Sequence, residues 1–192
     1  MRSSSRLFWS IIICSVLAGC DSRPQFRSTD ITGAPYGQRL ELVDHAGKPR
    51  RLEDWRGSAV VLFFGFTHCP DVCPTTLADI SQAVKSLGPD AERVQVVMVS
   101  VDPERDTPES LAKYVTAFDP RFLGLRGDLD ATKKVAAEFK IYFEKRKQGE
   151  SYTVDHSAQS YVIDPQGRLR LLVRHDRISQ DLAADLRAIL NE

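Results

Sequence analysis

Residues 59–74 read AVVLFFGFTHCPDVCP, and this stretch decides the fold. An almost unbroken apolar run from Ala59 to Phe66 is typical of a central strand that is covered on both faces. A short loop with Cys69 follows, and Cys73 and Pro74 stand at the start of a helix, where proline is favoured. The helix repeats apolar residues at helical spacing: Leu77, Ile80, Val84 and Leu87. The stretch therefore predicts a strand, a cysteine-bearing loop and a helix.

The flanking sequence predicts more strands and helices around this unit, in a chain of 192 residues that suits one hydrophobic core. They are a β-hairpin at 40–52, a buried strand at 94–101, helices from Thr107 and near Asp130, a strand at 141–144, a hairpin at 160–173 and a last helix from about Ser179. A strand, cysteine loop and helix with a terminal β-β-α unit form the layout of a thioredoxin-like fold. We therefore predict an α/β, thioredoxin-like domain with an N-terminal β-hairpin and an insertion in the middle section, between Asp102 and Tyr152.

Residues 1–19 are predicted to be a lipoprotein signal peptide. Arg2 and Arg6 precede an apolar stretch over 7–19, which is too short for a membrane-spanning helix of roughly 20 residues. Residues 17–20, Leu-Ala-Gly-Cys, resemble the bacterial lipoprotein box, in which the chain is cut before the cysteine and that cysteine is lipid-modified. Cys20 is the expected lipidation site, and Asp21 resembles a signal for retention in the inner membrane. An ordinary signal peptide or a short uncleaved anchor is the alternative.

The expected organisation after cleavage is a tether followed by one domain. Residues 20–38 comprise the lipidated cysteine and a flexible tether, because they are polar, rich in proline and glycine, and without an apolar period. Residues 39–192 are expected to form the folded, thioredoxin-like domain. Cleavage reduces the 26 lysines and arginines to 24, beside 26 acidic residues, so the mature chain has a formal charge of −2. This balance, without a basic patch, predicts no nucleic-acid partner.

The two cysteines of the folded part carry the chemistry. A helix N-terminus stabilises thiolate over thiol, and thiolate is the form that redox chemistry and metal binding both require. Three residues separate Cys69 from Cys73, one more than in thioredoxin-like reductases, and the wider loop allows both sulfurs to face one ion. A disulfide remains compatible with this spacing. A purely stabilising disulfide is disfavoured, because so short a loop constrains the unfolded chain little.

Two thiolates leave most metal sites incomplete, so we searched the histidines for a third ligand. His45 in a predicted turn, His175 after a strand and His68 in the cysteine loop are expected to be solvated surface residues. His156 is predicted to lie in the loop before the 160–164 strand. In a thioredoxin-like topology that loop faces the cysteine loop, where redox members usually carry a cis-proline. His156 is therefore the candidate third ligand.

Several separated motifs together resemble the Sco/SenC family. They are the cysteine loop, the stretch VDPERDTP at 101–108, and VDHS at 154–157 followed by YVIDPQG at 161–167. The resemblance covers roughly Tyr36 to the C-terminus. It implies a thioredoxin fold, copper bound by Cys69, Cys73 and His156, and a copper metallochaperone that delivers copper to the dinuclear copper site of cytochrome c oxidase.

The resemblance implies partners, and the lipoprotein box with Asp21 adds a membrane anchor and a location. The expected partners are the copper-bearing subunit of the oxidase, a copper donor, a periplasmic thiol reductant and, through the lipid anchor, the membrane. The expected location is the periplasmic side of the bacterial inner membrane. Many members of this family carry a spanning helix instead of a lipoprotein box, so the mode of attachment is where this chain departs from the pattern.

The ligand types agree with copper, because two soft thiolates and an imidazole suit Cu(I), and an added oxygen ligand would suit Cu(II). A site of two cysteines and one histidine also occurs at catalytic zinc, so the resemblance decides between the metals. Asp71 at the loop tip is a candidate partner contact, and Asp155 is a candidate for orienting the His156 ring. The alternative for both residues is an exposed loop aspartate that contacts only solvent. Asp102, Arg105 and Asp106 are expected to form an ion-pair cluster near the site, with helix capping as the alternative.

Other functions use some of the same residues. A thiol–disulfide reductase acting on the cysteines of the oxidase would need the redox-active pair Cys69 and Cys73 but not His156. A peroxiredoxin is a weaker alternative, because Thr67 stands only two residues before Cys69 and no proline precedes it in the strand. A copper sensor or storage protein is the third. An enzymatic role is thus left open, and no catalytic residue beyond the dithiol is predicted.

Overall fold

Strand β4 (Ala59–Gly65) is the centre of the structure, a computed structural model that describes residues 24–192. All seven of its residues are buried, as the apolar run predicts. It pairs in parallel with β5 (Val94–Ser100) from Ala59 opposite Val94 to Gly65 opposite Ser100. Helix α1 (Val72–Lys85) follows β4 and turns its apolar residues to the core, so the strand, loop and helix predicted from residues 59–74 are confirmed.

The remaining elements build one large sheet with helices packed around it. They are β1 (Thr29–Asp30), β2 (Glu41–Asp44), β3 (Pro49–Arg51), α2 (Pro108–Thr116), β6 (Leu123–Arg126), α3 (Leu129–Glu138), β7 (Phe143–Gln148), β8 (Ser151–His156), β9 (Gln159–Ile163), β10 (Leu169–Arg174) and α4 (Ile178–Leu190). Eight strands form the sheet in the order β1-β10-β9-β4-β5-β6-β2-β3. The pairs β4–β5 and β5–β6 are parallel, and the other pairs are antiparallel. The predicted α/β, thioredoxin-like class is confirmed.

The middle section contains more regular structure than the sequence indicates. Strand β6 joins the sheet beside β5, and β7 and β8 form a separate two-stranded hairpin. The predicted strand at 141–144 is thus wrong in its bounds, since β7 runs from Phe143 to Gln148. The prediction that His156 lies in a loop is also wrong, because His156 is the last residue of β8.

The segment before the domain does not behave as a free tether over residues 24–38. Strand β1 pairs with β10, and the backbone N–H groups of Arg27 and Ser28 donate to the Asp185 carboxylate at 2.7 and 2.9 Å. Gly37, at φ +70°, donates its N–H to the Glu138 carbonyl at 3.0 Å. Phe26, Ile31 and Tyr36 also pack against the core, but they follow neither a helical nor a strand period, so the sequence gives no signal of this attachment.

The predicted signal peptide over 1–19 and Cys20 lie outside the described residues. None of the helices within residues 24–192 is long and apolar enough to span a membrane.

Candidate metal centre

The cysteine loop joins the end of β4 to the first turn of α1. Cys73 is the second residue of the helix and is fully buried, whereas Cys69 is partly exposed. The N–H of Cys73 donates to the Cys69 sulfur at 3.4 Å, which uses one of the free donors at the helix N-terminus. Both cysteines are free thiols. The loop therefore holds two sulfurs next to each other at the positive end of α1.

The two thiols are inequivalent in their ionisation. A hydrogen bond from the Cys73 side chain, supported by the N–H groups of Cys73 and Asp71, lowers the pKa of Cys69 to about 5 against the opposing effect of burial. The same hydrogen bond and burial raise the pKa of Cys73 well above that of an ordinary thiol. At neutral pH the pair therefore consists of a Cys69 thiolate and a Cys73 thiol.

His156 approaches this pair from the end of β8. Its Nε2 lies 4.0 Å from the Cys73 sulfur, and its Nδ1 lies 3.3 Å from the Val154 carbonyl oxygen. A carbonyl oxygen only accepts hydrogen bonds, so Nδ1 is the donor in this contact and Nε2 is the ring nitrogen that faces the Cys73 sulfur. The Phe66 ring meets the imidazole edge-on at a centroid distance of 5.8 Å.

These residues line an open groove of about 290 Å³ at the protein surface. Its walls are Phe66, Cys69, Val72, Thr153, Val154, Asp155, His156 and Ala158. A ligand entering from solvent thus reaches the exposed parts of Cys69 and His156 first, while Cys73 is fully buried and does not line the groove.

Two cysteine sulfurs and an imidazole nitrogen suit a soft or borderline metal ion, although the three side chains are not yet at metal-binding distances from one another. Among residues 24–192, no three histidine, cysteine or acidic side chains stand at the distances of an assembled metal site. A trigonal ion with bonds of about 2.3 Å to sulfur and about 2.0 Å to nitrogen would separate Sγ from Nε2 by about 3.7 Å. The separation in the structure is 4.0 Å, so a movement of a few tenths of an ångström at this pair suffices.

Of the two candidate carboxylates, Asp155 lines the groove and Asp71 does not. Asp71 is exposed, and its carbonyl accepts the Thr75 N–H at 3.2 Å in the first turn of α1. Asp155 is exposed and accepts from Arg146 Nε at 3.2 Å. The expectation that Asp155 orients the His156 ring is wrong, because adjacent side chains of a strand point to opposite faces and the Val154 carbonyl holds the ring instead.

The other histidines lie apart from the two sulfurs. His68 is exposed, with Nδ1 3.1 Å from Thr67 Oγ1, and His45 Nδ1 accepts the Gly124 N–H at 3.1 Å. His175 was expected at the surface, and this is wrong, because its ring packs against Phe63 of β4 at a centroid distance of 5.4 Å. Burial lowers the pKa of His175 to about 4, so this ring is neutral at physiological pH.

The loop between β5 and α2, residues 101–107, supports the site from behind. The buried Asp106 carboxylate accepts from the Thr67 N–H at 3.2 Å, the Thr67 hydroxyl at 2.7 Å and the Ser100 hydroxyl at 2.6 Å. Asp102 and Arg105 pair at 2.5 Å, which confirms this part of the expected ion-pair cluster, whereas Asp106 binds Thr67 and Ser100 instead. The helix-capping alternative holds for Thr107, whose side chain accepts the Ser110 N–H at 3.2 Å. The Tyr152 hydroxyl of β8 also donates a hydrogen bond to Asp102, a contact that the sequence analysis does not predict. No local sequence pattern indicates a contact between residues that are 50 positions apart.

Comparison with known proteins gives a consistent result. The SCO1/SenC family model matches residues 28–191. An SCO2-like protein of Rickettsia prowazekii is 37% identical over 184 residues, which cover 88% of this chain and 90% of that protein. The chain spans 56–67% of the length of the mitochondrial SCO2 homologues of mouse, cattle and human that it matches.

Two solved structures extend the comparison. Bradyrhizobium japonicum ScoI with copper bound is 39% identical, with a TM-score of 0.74 over 81% of this chain and 99% of that chain. A SCO1/SenC family lipoprotein of Bacillus anthracis is 25% identical, with a TM-score of 0.70 over 86% of this chain and 99% of that chain.

Proposed function

Because this chain belongs to the SCO1/SenC family, we propose that it is a copper chaperone that binds one copper ion through Cys69, Cys73 and His156 and delivers it during assembly of cytochrome c oxidase. The single observation that carries the ligand set is the approach of His156 Nε2 to within 4.0 Å of the Cys73 sulfur, beside Cys69. The copper bound to a relative that is 39% identical supports the choice of metal.

The ionisation of the site suits the uptake of copper as a cargo. Thiolate, not thiol, is the ligand, and metal binding must otherwise release a proton. Cys69 is already a thiolate at neutral pH, so only the proton of Cys73 has to leave. Two sulfurs and an imidazole match the preference of Cu(I), and the open groove leaves room for a further oxygen ligand to Cu(II).

The same openness suits release to a partner. Cys69 and His156 are reachable from solvent, so sulfur ligands of a recipient can approach the ion from the groove side. The proposed recipient is the copper-bearing subunit of the oxidase, and the proposed auxiliary partners are a copper donor and a thiol reductant. We also propose the exposed Asp71, two residues after Cys69, as a contact for such a partner.

We propose attachment through a lipid on Cys20 at the periplasmic side of the inner membrane. The lipoprotein box at 17–20 supports it, and so does a lipoprotein of the same family in Bacillus anthracis. Cys20→Ser should release the protein from membranes while leaving copper binding unchanged, and labelled fatty acid incorporated elsewhere would contradict the assignment.

Copper titration of the reduced protein under anaerobic conditions tests the ligand set. His156→Ala should greatly weaken Cu(II) binding and change its visible spectrum, while Cu(I) keeps weaker coordination by the two sulfurs. The matched control is His68→Ala, which removes an exposed imidazole next to Cys69 that hydrogen-bonds Thr67 rather than facing the sulfurs. Equal copper binding by His156→Ala and His68→Ala would refute the role of His156.

A thiol–disulfide reductase is the second candidate function, favoured by the low pKa of Cys69 beside a free Cys73 thiol. The Cys69 thiolate can attack a substrate disulfide, which forms a mixed disulfide and releases one substrate thiolate. Cys73 can then attack the Cys69 sulfur, which releases the second substrate thiolate and leaves a Cys69–Cys73 disulfide. Oxidase assembly in cells separates the two functions. Normal assembly with His156→Ala but failure with Cys69→Ala would favour the reductase, and rescue of His156→Ala by added copper would favour the chaperone.

A further inference from the structure

We propose that Asp102, Arg105 and Tyr152 are positioning residues that hold strand β8, and with it His156, over the cysteine loop. This inference rests on the proposed copper site. It concerns residues that do not contact the metal but that set where the imidazole ligand stands.

The hairpin of β7 and β8 needs such support. It forms a two-stranded sheet of its own and does not pair with the eight-stranded sheet. An isolated two-stranded hairpin is at best marginally stable in water. Most of β7 is exposed, and Val154 is the one fully buried residue of β8. The position of His156 at the end of β8 therefore depends on contacts made by side chains outside the hairpin.

Arg105 supplies one such contact. Its Nη1 donates to the Tyr152 carbonyl at 2.8 Å, and its guanidinium lies 3.8 Å from the centroid of the Tyr152 ring. A planar guanidinium stacked on an aromatic ring adds cation–π attraction to the hydrogen bond. Arg105 therefore contacts both the backbone and the side chain of Tyr152.

Asp102 completes the contact and fixes its direction. One carboxylate oxygen receives Arg105 Nε at 2.5 Å, and the other receives the Tyr152 hydroxyl at 2.9 Å. Asp102 is 0% exposed, so both oxygens depend on these partners rather than on water. A buried carboxylate that loses a partner is costly, which keeps Arg105 and Tyr152 in place.

The same loop also holds the cysteine side of the site. Asp106 binds the backbone and the hydroxyl of Thr67, two residues before Cys69. Residues 102–106 thus contact both segments that carry the proposed ligands, Asp106 on the sulfur side and Asp102 with Arg105 on the imidazole side. The spacing of 4.0 Å between Cys73 Sγ and His156 Nε2 follows from one shared support.

The test replaces the support without leaving a buried charge. The double variant Asp102→Asn/Arg105→Gln is uncharged at this position, and Tyr152→Phe removes only the hydroxyl and keeps the stacked ring. The control is Arg146→Gln, which changes an exposed arginine of the same hairpin that pairs with Glu144 and Asp155. Each variant is made in the full chain, and circular dichroism and thermal melting establish that it folds.

The expected result is a selective loss on the imidazole side. The double variant should weaken Cu(II) binding about 10- to 100-fold, as substitutions behind a metal ligand do, and should shift the visible spectrum towards that of His156→Ala. Tyr152→Phe should lose about fivefold, the effect of one hydrogen bond, and it decides the question if the double variant does not fold. Arg146→Gln should bind as the unaltered protein, and the reduction potential of the Cys69–Cys73 pair should stay unchanged in all variants.

The same substitutions are then made in the His156→Ala protein, to test whether they weaken copper binding through His156. If Asp102, Arg105 and Tyr152 act through His156, the same substitutions should leave copper affinity unchanged when His156 is already alanine. A similar loss in that background, or a shifted dithiol potential, would overturn the inference in favour of general destabilisation. Unchanged Cu(II) binding in the variants, with clear weakening by His156→Ala, would overturn the inference alone, whereas no effect of His156→Ala would overturn the proposed ligand set with it.

Discussion

The ionised state of Cys69 can be measured through the pH dependence of its reaction with an uncharged disulfide. The Cys73 side chain is the main cause of the lowered pKa of Cys69, about 5. The informative perturbation is Cys73→Ser, which keeps a hydrogen-bond donor beside Cys69 but removes the second thiol of the site. Reaction of Cys69 then stops at the mixed disulfide, and peptide mass spectrometry quantifies it.

Two effects set the expected rate, and they nearly cancel at neutral pH. At pH 5, a thiol with a pKa of about 5 is about half ionised, against roughly 0.03% for an ordinary thiol of pKa about 8.5. The less basic thiolate is also about 40-fold less nucleophilic, for a Brønsted slope near 0.45. Cys69 should therefore react about as fast as an ordinary thiol at pH 7 but about 40-fold faster at pH 5.

The shape of the profile is thus the decisive observation. In Cys73→Ser, the rate should rise up to about pH 5, the pKa of Cys69, and then stay flat to pH 8. Cys73→Ala lacks the donor, so the bend of its profile should move to higher pH. A rate for Cys73→Ser that climbs about tenfold per pH unit from 5 to 8, as for an ordinary thiol, would refute the reasoning.

Three further predictions concern stability, each measured as the free energy of unfolding in urea. Starting the chain at Tyr36 instead of residue 24 removes both backbone donors of Asp185 and should cost about 1–3 kcal/mol; no loss would show that water replaces them. Gly37→Ala places a methyl group 2.5 Å from a buried leucine, whereas the methyl group of Gly47→Ala, at a similar positive φ, meets open space. The first should cost about 1–3 kcal/mol more than the second, and equal losses would contradict the packing argument. Burial lowers the pKa of His175 to about 4, below its unfolded value of about 6.5, so stability should fall as pH drops from 6.5 towards 4, and His175→Phe should flatten this slope.

Sequence reasoning succeeded where the local pattern and the fold agree. The apolar run at 59–66 is typical of a covered strand, and Pro74 with the helical spacing of Leu77 and Ile80 indicates α1. The histidine opposite the cysteines could be selected because the order of elements in a thioredoxin-like fold brings the segment before β9 to the cysteine loop. That argument places a residue near the site without giving its conformation, so the sequence predicts a loop at His156 where the structure has the end of β8.

The features that the sequence does not predict share a physical cause, because none of them produces a periodic pattern of apolar and polar residues. Strand β7 reads FEKRKQ and is almost wholly exposed, so no alternation of apolar and polar residues reveals it. The burial of His175 comes from Phe63, a residue more than a hundred positions away. The link of Tyr152 to Asp102 spans 50 residues, and that of Arg27 to Asp185 spans 158. Contacts of this kind follow from the closed fold and not from any window of sequence.

The pairing of β1 with β10 affects how this protein reaches its folded state. Thr29 lies opposite Leu172, so β1 can pair only after β10, near the other end of the described residues, is available. Contacts between residues so far apart in sequence slow folding, because the chain must close a long loop before it gains their energy. Cys73 is likewise synthesised 83 residues before His156. During synthesis the two thiols are therefore exposed to their surroundings before the imidazole and the sheet that enclose them exist, and the compartment they meet in that interval determines their first redox state.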